Sequence, residues 1–180
     1  MSVVFVAASS CCGAPRGHEL APASGPCEIV GDPAAAPEVT VGEPDAEVEE
    51  TLDAFHRAAA TGDEDRYFAI LPEDAVFLGT DPGERWTGVE FKKFAMPYFQ
   101  RDAAWIYEPT ERWITVPAGG RWAYFDEMLH NDAYGTCRGS GVCERRAGGW
   151  VILQYNLSIP VPNDLAGDLV ARIRAMAKKK

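Results

Sequence analysis

The sequence predicts one α+β domain, residues 45–177, in which helices pack on the concave face of a curved antiparallel sheet. Three observations predict this class: apolar residues at helical spacing early in the domain, four strand-like stretches after them, and glycine turns between those stretches. This order places the helices on one face of the sheet. Long strands twist and coil, and the helices are few, so we expect a pocket on that face; the smallest ligand pockets have about 300 Å³, and a smaller one would count against ligand binding.

The first two helices follow from their caps and spacing. Asp45 suits an N-cap, and the apolar residues after it recur at helical spacing, so a helix is predicted over 45–61. Asp63 is a suitable cap for a short second helix, which Pro72 should end. The domain therefore begins with a helix pair joined by a short hinge.

A short strand and a third helix are predicted before the four long strands of the domain, and a fourth helix is predicted after them. The apolar run 75–79 indicates the strand. Thr87 is a cap for a third helix, which Pro97 should bend or end because proline lacks the amide donor. Residues 165–176 have the spacing of an amphipathic helix or tail.

Four long strand-like stretches fill the second half of the domain. They are residues 104–108 continuing through 112–116, 121–129, 136–145 and 150–159. The turns at 118–120 and 146–149 are typical of hairpins, so we expect neighbouring strands to pair antiparallel.

The net charge of −10 belongs mostly to the N-terminal part. Residues 1–50 hold nine acids against Arg16 alone, which accounts for −8 of the total. The folded part is then only mildly acidic and has no basic stripe, which argues against nucleic acid as a partner. The five cysteines include no Cys-x-x-Cys pair, so the sequence predicts neither a metal site nor another cofactor.

The N-terminus indicates export. Residues 1–12 hold a short apolar run that ends at Cys11 and resembles the end of a truncated bacterial lipoprotein signal, in which the cysteine carries the lipid. Residues 13–44 are rich in Pro, Ala and Glu and predict a disordered acidic tether. We therefore expect an extracytoplasmic, lipid-anchored protein; the alternative is a frayed N-terminus on a cytoplasmic protein.

Several strings of the domain resemble one known family. They are Phe77-Leu78-Gly79-Thr80, Glu84-Arg85-Trp86, Ala123-Tyr124-Phe125-Asp126-Glu127, Arg138-Gly139-Ser140-Gly141-Val142 and the run from Gly149 to Ser158. With the order of elements, they are similar to the SnoaL-like branch of the nuclear transport factor 2-like superfamily, a cone-shaped α+β fold. The resemblance implies the fold more specifically than an activity, because the superfamily includes isomerases, dehydratases, hydrolases and pure binding modules.

The strand 121–129 carries the acid that we expect in the pocket. Glu127 shares one face with the small or apolar residues 123, 125 and 129, whereas Asp126 belongs to the opposite face, so we favour Glu127 over Asp126. A carboxylate in an apolar pocket has its pKa raised by desolvation, which suits a general acid or base. The alternative is a structural ion pair between Glu127 and Arg138 of the adjacent strand.

Other site residues are predicted from their chemistry. Gln154 and Asn156 form a polar row on the last strand, at the positions where many SnoaL-like relatives carry a His-x-His pair; either they face the pocket or they form an outer row. His56 is expected to be a packed or half-exposed residue rather than a base. Aromatic lining should come from three further residues, Trp86, Tyr98 and Trp105.

Two functions from different classes are consistent with these residues. The favoured one is binding of a small apolar or aromatic molecule, with Glu127, Arg138, Gln154 and Asn156 as polar anchors. The alternative is a cofactor-independent isomerase, dehydratase or hydrolase that uses Glu127 or Asp126 as general base, with Arg138 or Tyr98 stabilising the oxyanion.

A homodimer is compatible with both functions. It would form through the outer face of the sheet, where we expect an apolar patch of Trp113, Trp122 and Tyr124.

Overall fold

The computed structural model describes residues 46–178, which form four helices and one six-stranded sheet. In chain order the elements are α1 Ala46–Ala60, α2 Glu64–Ile70, β1 Val76–Leu78, β2 Arg85–Thr87, α3 Gly88–Phe99, β3 Glu108–Thr115, β4 Trp122–Asn131, β5 Gly135–Arg146, β6 Gly149–Ser158 and α4 Asn163–Ala177. The predicted export segment, Cys11 and the tether lie outside the described residues. Within 46–178, no helix combines the length and apolarity that crossing a membrane requires.

The sheet has the strand order β2-β1-β6-β5-β4-β3. The four long strands form the predicted antiparallel meander. The short strand β1 pairs parallel with β6, and β2, which the sequence analysis missed, pairs antiparallel with β1. The sheet is therefore mixed rather than purely antiparallel, because the β1–β2 hairpin adds to the free edge of β6 in the parallel direction.

The helix ends match the chemistry read from the sequence. The Asp63 side chain accepts a hydrogen bond from the amide of Arg66 at 3.0 Å at the start of α2. Thr87 and Glu90 form a complete capping box at the start of α3. Pro97 lies inside α3, which ends two residues later at Phe99, as expected of a proline late in a helix.

One face of the sheet is covered and the other is open. Along β4, Ala123, Phe125, Glu127 and Leu129 are buried, while Trp122, Tyr124 and Asp126 are exposed. Helix α1 contacts both β6 and β3, and α3 contacts β1 and β2, so the helices cover the inward face. The opposite face is called the outer face below. Helix α4 has no buried residue.

A bulge in β6 changes which side chains reach the inward face. Cys143 pairs with Ile152 and Val142 pairs with Gln154, so Leu153 is one extra residue in β6. Ile152 faces inward before the bulge, and the inward residues after it are Tyr155 and Leu157.

Candidate functional site

A cavity of about 240 Å³ lies between the helices and the inward face of the sheet. Its lining is mainly aromatic and includes the three predicted residues Trp86, Tyr98 and Trp105. Its volume is somewhat below the ~300 Å³ of the smallest ligand pockets, and α2 and α3 bring several aromatic rings into the concave space. The cavity suits a small guest.

The aromatic rings of the lining pack closely on one another. The rings of Phe77 and Phe91 stack with centroids 3.9 Å apart, and those of Phe55 and Tyr67 stack at 4.4 Å. Trp105 contacts Tyr67 edge-on at 5.6 Å. Rings held on several sides by other rings make a largely preformed cavity.

The polar part of the lining comes from α1 and β6. His56 of α1 and Tyr155 of β6 both line the cavity and both contact the buried carboxylate of Glu127. Nε2 of His56 lies 2.7 Å from Oε1 of Glu127, and the hydroxyl of Tyr155 donates to the same oxygen at 3.0 Å. Glu127 itself is fully buried and does not line the cavity.

Arg112 of β3 completes the polar cluster. Its Nε donates to Oε2 of Glu127 at 2.9 Å, and its Nη1 donates to Asp53 of α1 at 2.8 Å. Asp53 lies at a second, more open cavity of about 280 Å³, whose lining also includes His56 and Glu108. His56 therefore lines both the aromatic cavity and the second one.

The charges around Glu127 keep it ionised. Burial alone would raise the pKa of Glu127, but the hydrogen bonds and charges of His56 and Arg112 outweigh it and hold the pKa below its ordinary value. Burial, with the nearby charge of Glu127, raises the pKa of Tyr155 well above its ordinary value, so its phenol stays protonated and donates.

The ionised carboxylate also fixes the orientation of the histidine. A carboxylate oxygen only accepts, so His56 presents its N–H at Nε2, and in a neutral imidazole the lone pair is then on Nδ1. No hydrogen bond among residues 46–178 uses Nδ1. His56 thus contacts Glu127 through Nε2 while its ring lies beside both cavities.

The structure separates the two acids that the sequence analysis offered. Glu127 faces inward and Asp126 faces outward, as the alternation along β4 predicts. Glu127 is nevertheless covered by His56 and Tyr155, so it has no direct contact with the cavity. Neither acid is placed to take a proton from a molecule in the cavity, because one is covered and the other lies on the outer face.

Three of the four predicted polar anchors, Arg138, Gln154 and Asn156, lie on the outer face, and their assignment to the cavity was wrong. Arg138 pairs with Met128 in the strand register, whereas Gly139 lies opposite Glu127, so the side chain of Arg138 points away from that acid. Gln154 and Asn156 point outward because the extra residue Leu153 shifts the alternation of β6.

The partners of Glu127 in the structure differ from the one predicted, Arg138. His56 follows Leu52 and Phe55 at the spacing of the buried stripe of α1, a signal that was available in the helical periodicity. Arg112 alternates with the buried Ile114, which also pointed inward by strand parity. Tyr155 had no such signal, because the bulge in β6 cannot be read from the sequence.

The residues of the described part show no group of three His, Cys, Asp or Glu side chains that could hold a metal ion. The two cysteines of this part, Cys137 and Cys143, are buried free thiols.

Residues 48–162 match the model of the SnoaL-like domain family. The chain belongs to this family. The match spans α1 to β6 and ends just before α4, so the SnoaL-like domain contains the cavity and the whole polar cluster around Glu127. No curated protein matches the chain.

Solved structures with the same fold are distant in sequence. An NTF2-like protein of unknown function from Pseudomonas putida KT2440 is 13% identical, with a TM-score of 0.54 over 66% of this chain and 87% of that one. A putative dehydratase of the NTF2-like family from Streptomyces avermitilis is 15% identical, with a TM-score of 0.53 over 65% and 96%. A putative ketosteroid isomerase from Shewanella frigidimarina NCIMB 400 is 19% identical, with a TM-score of 0.50 over 63% and 96%. These similarities establish the fold.

Proposed function

We propose that this SnoaL-like domain binds a small apolar or aromatic molecule in its aromatic cavity. The observation that carries the proposal is a cavity of about 240 Å³ walled by aromatic rings, with the imidazole of His56 at its polar end. A concave, mostly apolar space with a few polar groups is the usual form of a small-molecule site. The volume favours a guest of about one or two aromatic rings, because drug-sized ligands occupy larger pockets.

Filling the cavity with protein atoms tests this proposal. Ala104 lines the cavity and is partly buried, so Ala104→Leu should occupy space that a guest needs. A panel of one-ring and two-ring compounds should raise the melting temperature of the parent and not that of Ala104→Leu. Ala133→Leu, at an exposed turn position, is the matched control and should respond like the parent. Equal shifts in all three proteins would rule out the cavity as the site.

A second candidate function is general-base catalysis by His56. It is favoured by the hydrogen bond between Nε2 of His56 and Glu127, which in the neutral form of the imidazole leaves Nδ1 as the acceptor. Glu127 would then act as a positioning residue that orients the imidazole, a role that replaces the direct one expected from the sequence. The reaction class would be proton abstraction from an apolar substrate, as in isomerisation or dehydration, without a cofactor.

Deuterium exchange tests the catalytic candidate. NMR should show the parent catalysing exchange at the α-carbon of small aromatic ketones in D₂O, and His56→Gln should slow this exchange by about 10²-fold or more. His130→Gln is the matched control, because His130 is exposed at the end of β4. If His56→Gln exchanged as fast as the parent, His56 would not be the base.

We also propose that the chain is tethered outside the cytoplasm through a lipid on Cys11. The support is the apolar run before Cys11 and the acidic, proline-rich composition of residues 13–44. Mass spectrometry of the N-terminus from the native host tests this proposal. An unmodified Met1 or Ser2 would show that the chain is not processed at Cys11.

A further inference from the structure

Helix α4 exposes an apolar stripe to solvent. None of its residues is buried, whereas α1 and α3 each bury one side in the domain. Leu165, Leu169 and Ile173 follow one another at intervals of four residues, which places them on one side of the helix. The exposed fractions of the large apolar side chains are 57% for Leu165, 39% for Leu169, 42% for Val170, 55% for Ile173 and 69% for Met176. Because a lone helix of 15 residues is only marginally stable in water, this stripe indicates a surface that α4 contacts.

The end of α4 and the residues after it are basic. Residues 169–180 hold five cations and no acid. Two acids, Asp164 and Asp168, lie in the first half of the helix, so residues 163–180 have five cations less two acids, a net charge of +3. The cations are Arg172, Arg174, Lys178, Lys179 and Lys180. The whole chain has a net charge of −10, so this segment differs in sign from the rest and complements an anionic surface.

The two arginines of α4 lie at the edges of the apolar stripe. Arg172 follows Leu165 by seven residues, about two turns, and Arg174 follows Val170 by four, about one turn. Cations in these positions suit a membrane surface, because their hydrocarbon stems stay beside the apolar side chains while their charged groups reach the lipid phosphates. A helix of 15 residues would lie along such a surface, since crossing a bilayer requires about 20 apolar residues.

We propose that α4 binds the surface of an anionic lipid membrane, with its apolar stripe among the headgroups and its basic end towards the lipid phosphates. A second copy of α4 matches these charges poorly, because it would bring another net charge of +3 to the contact. An anionic bilayer supplies negative charge along the whole basic end. The inference rests on α4 and the lysines after it, and it is independent of the cavity and of Cys11.

Co-sedimentation with lipid vesicles tests the inference on the full chain. One kind of vesicle contains phosphatidylcholine alone, and the other contains equal parts of phosphatidylcholine and phosphatidylglycerol. Every protein carries Cys11→Ser, which removes the proposed lipidation site, so that binding does not come from an N-terminal lipid. The protein with this change alone is the reference protein.

Two pairs of variants separate the apolar stripe from the charge. Leu169→Gln removes an apolar side chain of the stripe, and Ala171→Gln, about 200° around the helix from Leu169, is its matched control. Arg174→Gln removes one cation of α4, and Arg66→Gln, at an exposed arginine of α2, is its matched control. Residues 169, 171 and 174 are all exposed, so these changes should leave the fold of the domain intact.

The reference protein should bind the anionic vesicles, and it should bind phosphatidylcholine alone about tenfold more weakly or less. Leu169→Gln should lower the partition coefficient on anionic vesicles about tenfold, because one leucine no longer leaves water. Arg174→Gln should lower it about fivefold. Both matched controls should bind like the reference protein, and added salt should weaken the binding of every protein.

Three results would overturn the inference. The first is a reference protein that binds neither kind of vesicle, or both equally well. The second is equal binding by Leu169→Gln and Ala171→Gln, which would place the contact elsewhere on the chain. The third comes from analytical ultracentrifugation without lipid: if Leu169→Gln weakens self-association and Ala171→Gln does not, a second copy of this chain covers the stripe.

Discussion

Glu127 is the residue around which the polar part of the domain is organised. It is fully buried, and it forms hydrogen bonds with three side chains from different elements: His56 from α1, Arg112 from β3 and Tyr155 from β6. A buried carboxylate is tolerated only when its oxygens are satisfied and its charge is balanced. Here both conditions are met, so the acid holds the histidine and the tyrosine of the cavity in place.

Removing this carboxylate should strongly destabilise the domain. Glu127→Ala leaves Arg112 without its buried partner, so we expect a loss of about 3–5 kcal/mol in the free energy of unfolding. Asp126→Ala, one residue earlier on the exposed side of β4, should change it by no more than about 0.5 kcal/mol. Urea unfolding of both variants measures the difference. Similar losses in the two would show that the buried cluster contributes no more than an exposed acid.

The stabilisation by Glu127 should also depend on pH. Its pKa is lowered in the folded state from an ordinary value of 4.5, so its contribution is present above pH 4.5 and is lost as the pH falls through the folded pKa. The stability difference between the parent and Glu127→Gln should therefore shrink as the pH falls below 4.5. Denaturant unfolding at a series of pH values measures this difference. A constant difference across the acid range would contradict the lowered pKa.

For single residues, the sequence indicated to which face of the sheet a side chain points, but not which residues it contacts. The inward position of Glu127 follows from alternation along one strand, which is a local property. Its partners His56 and Arg112 are 71 and 15 residues away, so their contacts depend on how α1 crosses the sheet and on the register of β3. Arg138 lies on the strand next to Glu127 and was therefore predicted as its partner. The register excludes this pair, because Arg138 lies opposite Met128.

Among the elements, β5 is shaped by two inward-facing glycines. A methyl group on Gly139 would collide with the hydroxyl of Tyr155 and lie 2.9 Å from Oε1 of Glu127. A methyl group on Gly141 would collide with the backbone oxygen of Gln154 and approach the ring of Phe125 at 2.9 Å. These glycines leave the space that the polar cluster and the inward rings occupy.

Adding a methyl group at Gly139 should therefore displace Tyr155 from Glu127. We expect Gly139→Ala to lower the free energy of unfolding by about 1–3 kcal/mol, as overpacking does in a filled core. Ser140→Ala, at the next position on the outer face, should be nearly neutral. Thermal unfolding compares the two, and a crystal structure of Gly139→Ala would show the displaced phenol. Unchanged stability would show that the polar cluster can accommodate the added methyl group.

The helices and long strands were predictable because their signals are local. Caps at Asp63 and Thr87, and the late proline in α3, act within a few residues of themselves. The pairing of β1 with β6 and the bulge at Leu153 were not predictable, because each depends on a strand that is remote in the chain. The misplaced polar row of β6 follows directly from that bulge.

On the scale of the whole molecule, the outer face has the chemistry of a self-complementary contact. Trp113, Trp122 and Tyr124 are 51%, 41% and 49% exposed on neighbouring strands. Asp126 and Arg138 are exposed on the same face, so two copies of this face can pair opposite charges across a two-fold axis. We propose that a second copy of this chain covers this face.

Charging the middle of this patch should prevent association. Analytical ultracentrifugation should show the parent as a dimer and Tyr124→Lys as a monomer, because a buried ammonium without a partner is unfavourable. Tyr134→Lys makes the same change at an aromatic residue that is 54% exposed and lies in the turn between β4 and β5, away from the patch. This variant should remain dimeric. A monomeric parent at every concentration would refute the proposal.

The extra residue in β6 also limits how this chain is aligned with its relatives. Counting positions forward from Trp150 assigns Gln154 and Asn156 to the cavity, whereas the residues that reach the inward face are Tyr155 and Leu157. An alignment without a gap at Leu153 would compare cavity residues of a bulge-free relative with surface residues of this one. Transfer of site residues across the family therefore requires strand registers, since one inserted residue exchanges the two sides of the strand.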